Sequence, residues 1–308
     1  MQDPNNSQIP EHLDEVNLRE IYNALRESKE ILAIGITLFT ICGILYSLLA
    51  PQIWTSSALL TVAESSNSSF SNSSALGGLA SIASLGMPNG SSLKGSRAIA
   101  TAQSREFFNH LVTFDSVLPN LMATKSFDNR SKKIIYDPKK YNVAEGEWVA
   151  GTKPSNWNAY KTYIKNLSVN FDPKTNFVTI AFNHKSPEFA KYFLELIIEE
   201  VNLLSRNRAL AQSQASLDYL YEELNSYQLS DVKLAISQLI ETQLKTQMLA
   251  RVKVDYALES LDKPYLPKER TSPRRKTITI SAFFLGLLAS TFFVLIRFFF
   301  KKNINQSS

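Results

Sequence analysis

The sequence predicts an α+β protein in which two transmembrane helices flank a domain with an α/β, membrane-proximal base and a long antiparallel helical arm. Three observations lead to this prediction. Two apolar runs without charge lie near the ends of the 308-residue chain. Alternating apolar and polar residues, typical of half-buried strands, occur between them. The stretch from Glu188 to Lys263 contains no Gly or Pro, which favours long helices.

The two apolar runs, Ile31–Ala50 and Thr277–Ile296, are predicted transmembrane helices. At about 1.5 Å per residue, each reaches across the hydrocarbon core of a bilayer, which is roughly 30 Å thick. The first run is longer than the apolar core of a typical signal peptide and is followed by Pro51, which favours an uncleaved anchor. Small residues recur at every fourth position; such stripes let helix backbones approach in lipid, although small residues are also common in membrane helices generally. The candidate packing residues are Gly43, Ser47, Ala282, Gly286 and Ser290.

Two spans place both termini on one side of the membrane and residues 51–276 on the other. Basic residues near the span ends divide evenly between the two sides, but their distribution around the first span is uneven. Arg19, Arg26 and Lys29 precede it, and no Lys or Arg occurs in residues 51–70. Because the first span usually dominates orientation, residues 1–30 and 297–308 are predicted to be cytoplasmic.

The base is predicted to comprise residues 51–186 and 254–267. Its expected elements are a strand at Ile53–Ala63, a flexible Ser- and Gly-rich loop at 65–96, a helix over Ala98–Val112 continuing into Val117–Ala123, and a hairpin of Leu167–Phe171 with Phe177–Phe182. Trp54 is expected to lie at the membrane interface. Residues 124–160 are basic, aromatic and turn-rich, and they are interpreted as a solvated face, not as a nucleic-acid surface.

The helical arm is predicted to span residues 187–262. Ser186 is expected to cap its first helix, with Pro187 in the first turn. Two apolar stripes lie out of phase, and Ser230 before Asp231 fits a new N-cap, so a tip is expected near Tyr227–Asp231. The stripes are interpreted as ordinary core packing within one subunit or as surfaces that pack against neighbouring subunits. The second interpretation is reasonable because two helices alone cannot bury an apolar stripe on every face. The stripe residues are Leu217, Leu220, Leu224, Leu229, Val232, Ile236 and Leu239, and the return helix continues through Ile240, Leu244, Met248 and Val252.

A Pro-rich connector is predicted at residues 263–276, immediately before the second span. Pro264, Pro267 and Pro273 prevent helix continuation and favour an extended, stiff segment. The basic residues between them either engage lipid head groups or simply flank a membrane helix.

No constellation of catalytic residues is predicted. The three His are scattered, and the single Cys, Cys42, lies in the first apolar run, so neither a metal site nor a disulfide is expected. Neighbouring carboxylates such as Glu199 and Glu200 point apart on a helix and are interpreted as solvated. The sequence therefore predicts a protein that is not an enzyme, without cofactor and without nucleic-acid partner.

The order of these segments resembles the Wzz chain-length determinants, which are polysaccharide co-polymerases of the bacterial inner membrane. The resemblance covers nearly the whole chain, and its pieces are fairly specific only in combination. They are Val16-Asn-Leu-Arg-Glu20, Ile53-Trp-Thr-Ser-Ser57, Leu76-Gly-Gly-Leu-Ala80, Phe177–Phe182 followed by Ser186-Pro-Glu188, and Ser272-Pro-Arg274.

The resemblance implies a non-enzymatic regulator of the modal length of an O-antigen-like polysaccharide. Its implied partners are a Wzy-type polymerase, the growing polysaccharide or its lipid-linked form, and further copies of itself in a ring with a periplasmic main domain. The few residues after Ile296 carry no Tyr and no phosphate-binding loop, which favours the O-antigen type or a relative with a separate tyrosine kinase.

Two other functions are compatible with a two-span protein. A transmembrane sensor needs a cytoplasmic signalling domain, for which the predicted cytoplasmic segments are too short. A polysaccharide export adaptor that works with an ABC transporter, or with a separate tyrosine kinase in capsule or exopolysaccharide secretion, remains the alternative prediction.

Overall fold

The computed structural model describes residue 26 and residues 28–63, 90–226 and 229–306. The described residues fall into two compact units, one formed by those up to Pro51 together with those from Ser272 onward, and one formed by those within Gln52–Thr271. The predicted helix that begins at Asn17 and the predicted turn or helix at Leu76–Leu85 lie outside the described residues. So does most of the predicted loop at 65–96, but its last residues, from Gly90 onward, are helical and not a loop.

The secondary structure elements follow one another in a mixed order. The helices are α1 (Lys29–Leu49), α2 (Gly90–Gln103), α3 (Arg105–Leu111), α4 (Val117–Ala123), α5 (Asn156–Asn166), α6 (Pro187–Ser226), α7 (Ser230–Val252) and α8 (Arg275–Gln306). The strands are β1 (Trp54–Val62), β2 (Thr124–Asp128), β3 (Lys133–Tyr136), β4 (Tyr141–Asn142), β5 (Glu147–Trp148), β6 (Leu167–Asp172), β7 (Phe177–His184) and β8 (Leu258–Asp262). The predicted fold class is confirmed: helices and sheet are mixed, an apolar helix lies toward each end, and α6 is 40 residues long.

The first unit consists of α1 and α8, which pack against each other. Among the described residues, these two helices are long and apolar enough to cross a bilayer, over Lys29–Leu49 and Arg275–Arg297. Few of their residues are buried, and large apolar side chains such as Leu38, Leu45 and Phe292 are more than half exposed. A helix in a water-soluble core would bury these groups, so the exposed apolar surface suits lipid.

A four-stranded antiparallel sheet organises the second unit, with strand order β6-β7-β1-β8. Side chains along β1 alternate between buried and half-buried, as expected for a strand with one face on a core. The predicted hairpin is present as β6 and β7. In its turn, the Asp172 carboxylate accepts hydrogen bonds from Lys174 N and Thr175 Oγ1, at 2.9 and 3.0 Å.

Aromatic side chains fill the core beneath this sheet. Phe108 and Tyr163 stack with ring centroids 5.0 Å apart, and Phe182 meets Phe193 edge to face at 4.8 Å. The Tyr163 hydroxyl, although completely buried, donates a hydrogen bond of 2.6 Å to Ala102 O. This bond satisfies the one polar group that the ring brings into the core.

Three local predictions are wrong. The predicted helix over Ala98–Val112 is interrupted at Ser104, whose hydroxyl accepts from Phe107 N at 3.1 Å and starts α3 afresh. Trp54 is only 6% exposed and packs edge-on against Phe127, so it is a core residue and not an interfacial anchor. Helix α5 lies partly within the segment interpreted as turn-rich, and Ser155 caps it.

The arm consists of the antiparallel pair α6 and α7. The predicted start is confirmed, because Ser186 Oγ accepts from Phe189 N at 3.3 Å and Pro187 opens the helix. The helices stop at Ser226 and resume at Ser230, close to the predicted tip, but Leu229 and not Ser230 occupies the N-cap position. The predicted arm limit of 262 is too long: α7 ends at Val252, and residues 258–262 form β8 against β1.

Candidate functional site

Glycines lie at the closest approaches between the two apolar helices. A Cβ placed on Gly43 would overlap the Cβ of Ala282. A Cβ on Gly35 would lie 2.8 Å from Ser290 Cβ, and one on Gly286 would lie 2.8 Å from Phe39 Cβ. These distances are shorter than ordinary side-chain contacts, so the two backbones meet as closely as they do only because these positions lack side chains.

The two predicted serines differ in their hydrogen bonding. Ser290 is buried, and its hydroxyl donates to Gly286 O at 2.7 Å. Ser47 is equally buried, and its hydroxyl has no hydrogen-bond partner among the described residues. The structure thus brings Gly43, Ala282, Gly286 and Ser290 into the helix interface and adds Gly35, which the fourth-position pattern did not single out.

The apolar stripes of the arm meet between α6 and α7. Five of the predicted residues form or line this arm cluster, together with Ile240, which the sequence placed only in the return helix. The cluster comprises buried Leu217, Ile236 and Ile240 with partly buried Leu220, Leu224 and Val232. Leu229 and Leu239 lie outside it, at 69% and 53% exposure. The buried stripe of α7 therefore runs 232, 236, 240 and not 232, 236, 239.

The four-residue row of Val232, Ile236 and Ile240 continues along α7 into an exposed outer stripe. Leu244, Met248 and Val252 follow one another at four-residue spacing and are 40%, 66% and 78% exposed. Within the described residues, nothing in the same unit covers this outer stripe. An exposed stripe of this kind on a helix is typical of a surface that another helix covers.

The predicted connector is extended but attached to the sheet. Ser56 Oγ donates to Tyr265 O at 2.8 Å, and Thr271 N donates to Ile53 O at 2.8 Å. Pro264, Pro267 and Pro273 are each buried. The first two therefore fix the chain where it leaves the base, and the segment around them is part of the base's packing.

His184 joins three elements of the base. Its Nδ1 accepts from Ser186 N at 3.0 Å, and its Nε2 lies 2.9 Å from Asn120 O, to which it donates. Burial lowers the pKa of His184 to about 4, so the ring is neutral near pH 7. Burial also lowers the pKa of the adjacent Lys185, whose Nζ donates to Thr124 O at 2.8 Å. These contacts hold the start of α6 against α4 and β2.

One carboxylate interpreted as solvated is buried. Glu200 is 7% exposed, and its Oε2 lies 2.6 Å from His110 Nε2. The pair ties α3 to α6 and corrects the expectation for Glu200. No group of three or more His, Cys, Asp or Glu that could hold a metal occurs among the described residues.

Asn202 anchors the returning chain to α6. Its side chain is buried, donates to Leu258 O at 2.9 Å and accepts from Ala257 N and Leu258 N at 2.9 and 2.8 Å. One amide group thus satisfies three backbone groups at the start of β8. These contacts join residues 55 and 56 positions apart in the sequence, and no local pattern identifies them.

Two cavities flank α6 where it leaves the base. One, of about 480 Å³, is lined by three carboxylates and two cations, which are Glu195, Glu199, Asp255, Arg206 and Lys263. The other, of about 340 Å³, lies between α2, α6 and α7 and contains Arg97 and Arg208 but no carboxylate. Neither was foreseen from the sequence.

These features define a class of protein with two candidate membrane helices and a mixed α/β domain that carries a long helical arm. A family model described as "Wzz: Chain length determinant protein" matches residues 14–112. This match covers the first apolar helix and the first strand and confirms the resemblance inferred from the sequence. It supports a function in polysaccharide chain-length regulation, and with the two apolar helices it is consistent with an inner-membrane protein.

Two solved structures that the chain is similar to are remote in sequence. One, a "full-length bacterial polysaccharide co-polymerase", is 13% identical, with 93% of this chain and 99% of that chain covered and a TM-score of 0.37. Another, a "Fragment of WzzB, Polysaccharide Co-polymerase from Salmonella Typhimurium", is 14% identical, with 72% and 100% covered and a TM-score of 0.25. A comparison with curated proteins finds no significant match.

Proposed function

We propose that this protein is a non-enzymatic, homo-oligomeric co-polymerase that sets the chain length of an O-antigen-like polysaccharide together with a Wzy-type polymerase. The family match over residues 14–112 is the observation that carries this proposal. The growing polysaccharide or its lipid-linked form is the molecule whose length is regulated. The protein lies in the inner membrane, with both termini in the cytoplasm and the main domain in the periplasm.

The arm supplies the physical basis for self-association. The outer stripe of Leu244, Met248 and Val252 is apolar and exposed, and it continues the four-residue row of α7 that packs on α6. Burial of apolar surface stabilises association by about 25 cal/mol per Å² before the cost of ordering. We propose that the arm of a neighbouring copy covers this stripe.

The membrane helices would bring the domain to the polymerase. Close packing of α1 on α8 leaves their large apolar side chains on the outside, as a protein embedded in lipid requires. Those outward side chains are also the surface available to a second membrane protein. A protein that is not an enzyme could then regulate chain length as a scaffold that binds the polymer and the polymerase at the same time.

Deletion of the gene tests the function directly. We expect the modal ladder of the surface polysaccharide on a gel to become random and biased toward short chains, and a plasmid copy to restore the mode. An unchanged ladder would refute chain-length regulation. Loss of all surface polymer, with polymer retained inside the cell, would support the export adaptor instead.

The same assay tests packing through the arm, with two variants that each introduce a lysine on α7. Met248→Lys places a charge in the outer stripe, where burying it against a neighbour would be costly. Gln238→Lys makes the same change at an exposed polar position of α7. We expect Met248→Lys, but not Gln238→Lys, to lose the modal polysaccharide length on the gel. Only Met248→Lys should also lose the oligomer that cross-linking detects. Equal behaviour of the two variants would contradict packing through the outer stripe.

A further inference from the structure

The cavity that contains Arg97 and Arg208, here called the arginine cavity, combines cationic with neutral polar side chains. Its wall carries two guanidinium groups together with hydroxyl and amide groups from Thr101, Gln212, Gln243 and Thr246. Its volume of about 340 Å³ is near the lower end of the range for small-molecule sites, about 300–1,000 Å³. The cavity therefore has both the size and the hydrogen-bonding groups of a ligand site.

The two guanidinium groups are available to a ligand. Within the described part of the chain, neither Arg97 nor Arg208 forms an ion pair with a carboxylate. Arg208 Nη1 makes one long hydrogen bond of 3.4 Å, to Thr101 Oγ1. Both arginines are exposed, so the cavity opens to solvent on their side. Each retains donors for a planar anion, to which guanidinium binds through two parallel hydrogen bonds.

The neighbouring cavity on α6 has a different charge pattern. Its wall contains Glu195, Glu199 and Asp255 alongside Arg206 and Lys263, and Glu195 is engaged by Lys191 at 3.5 Å. Carboxylates on that wall would repel an anion. Arg206 and Arg208 are two residues apart on the same helix, yet they line cavities of different charge, so the two sites can be compared within one element.

We propose that the arginine cavity binds an acidic saccharide segment, with the carboxylate of a uronic acid between Arg97 and Arg208. The hydroxyl and amide groups of Thr101, Gln212, Gln243 and Thr246 would exchange hydrogen bonds with the sugar hydroxyls, which act both as donors and as acceptors. The site lies where α2 meets the lower part of the arm. A saccharide bound there contacts α2, α6 and α7 together.

This inference rests on the proposed function, because it names the part of the polymer that the domain recognises. It is tested without polymerase or cells. The full-length protein in detergent micelles is titrated with a tetramer of glucuronate and with a neutral glucose tetramer of equal length. Inorganic phosphate serves as a competitor without sugar. The polysaccharide ladder of the deletion strain tests chain-length regulation separately. A negative binding result would therefore refute saccharide binding in the arginine cavity without refuting chain-length regulation.

We expect the glucuronate tetramer to bind and the glucose tetramer to bind at least tenfold more weakly. Arg97→Gln and Arg208→Gln should each weaken binding about tenfold, which is the usual loss when one charged hydrogen-bonding group is removed. Arg208→Lys, which keeps the charge but loses the planar fork, should bind more weakly than the wild type and more tightly than Arg208→Gln. Arg206→Gln, the matched control in the neighbouring cavity, should bind like the wild type.

Four results would overturn the proposal. They are equal binding of the two tetramers, unchanged binding in Arg208→Gln, equal losses in Arg206→Gln and Arg208→Gln, and phosphate binding as tight as that of the glucuronate tetramer. The last would define a general anion site without saccharide recognition. Since both arginines are exposed, the variants should keep the wild-type circular dichroism spectrum and melting midpoint, and binding losses can be assigned to the cavity.

Discussion

His184 illustrates a role that only the folded chain reveals. Its two ring nitrogens bridge Ser186 N and Asn120 O, which are 2 and 64 positions away in sequence. One nitrogen must accept and the other donate, so only the neutral ring fits both partners. A protonated ring would place a second donor against Ser186 N–H. From the sequence, this His is one of three scattered residues with no motif.

The base should therefore be less stable in acid. His184 has a pKa near 6.5 in an unfolded chain and about 4 in the folded one, so the unfolded state binds more protons between these values. Stability is fully present above pH 6.5 and is lost as the pH falls toward 4, by up to about 3 kcal/mol. Urea unfolding followed by tryptophan fluorescence measures this loss, because Trp54, Trp148 and Trp157 all lie in the second unit.

A His184→Gln variant provides the comparison. It should be less stable at neutral pH, since it cannot satisfy both partners equally well, and its stability should change less between pH 6.5 and 4. His110→Gln alters a half-exposed His in the same unit. It should retain the decrease in the free energy of unfolding with falling pH that His184 contributes. If the free energy of unfolding of His184→Gln fell with pH as steeply as that of the wild type, His184 would not be the cause of the acid destabilisation.

Among the elements, the helix pair α1 and α8 best shows what periodicity can predict. The four-residue spacing of small residues predicts that Gly43, Ala282, Gly286 and Ser290 lie at a helix interface. The structure places these four residues between the two helices. Spacing alone could not pair residues across helices or identify Gly35, because pairing depends on the relative height and rotation of the helices. The contribution of these residues to membrane packing stays a prediction.

Gly43→Leu tests that prediction. A side chain at this position overlaps Ala282, and forcing bulk into a packed interface typically costs about 1–3 kcal/mol. We expect a lower thermal midpoint for the protein in detergent micelles. Cys42→Leu adds volume at the neighbouring, exposed position and should leave the midpoint unchanged. Equal midpoints for the two variants would show that the glycine contact does not hold the pair together.

The arm shows the limits of the same method. The absence of Gly and Pro after Glu188 and the change of apolar phase correctly predicted two helices separated near residue 228. The phase of the second stripe was misjudged by one residue, because Leu239 and Ile240 are adjacent and equally apolar, and only packing against Leu217 selects Ile240. Strand β8 was missed because its sequence, Leu258–Asp262, contains three acidic or polar residues and gains its structure from β1.

For the whole molecule, the orientation proposed from the residues around the first span can be tested with reporter fusions. We expect reporter enzymes fused after Ser71 and after Asp255 to be active in the periplasm, and one fused after Ser308 to be active in the cytoplasm. The physical reason is the basic flank before the first span and its absence in residues 51–70. Activity of the Ser71 and Ser308 fusions on the same side would refute a two-span topology.

At this scale, the sequence predicted the order of segments well and their contacts poorly. Hydropathy and turn residues are local, so they located the apolar helices, β1, the β6–β7 hairpin and the start of α6. The arginine cavity is built from α2, α6 and α7, and the Asn202 contacts join residues more than fifty positions apart. Such sites depend on how the chain returns, which a single sequence does not encode in any short pattern.

The hydrogen bond between Thr271 N and Ile53 O joins the two ends of the second unit, which runs from Gln52 to Thr271. A unit whose ends meet behaves as an insertion and can be transferred to another host chain without stretching either junction. Whole turns can also be gained or lost at the far end of α6 and α7 while the two junctions stay together. Evolution can therefore change the reach of the arm independently of its attachment, and engineered arms of different lengths can be compared on one unchanged base.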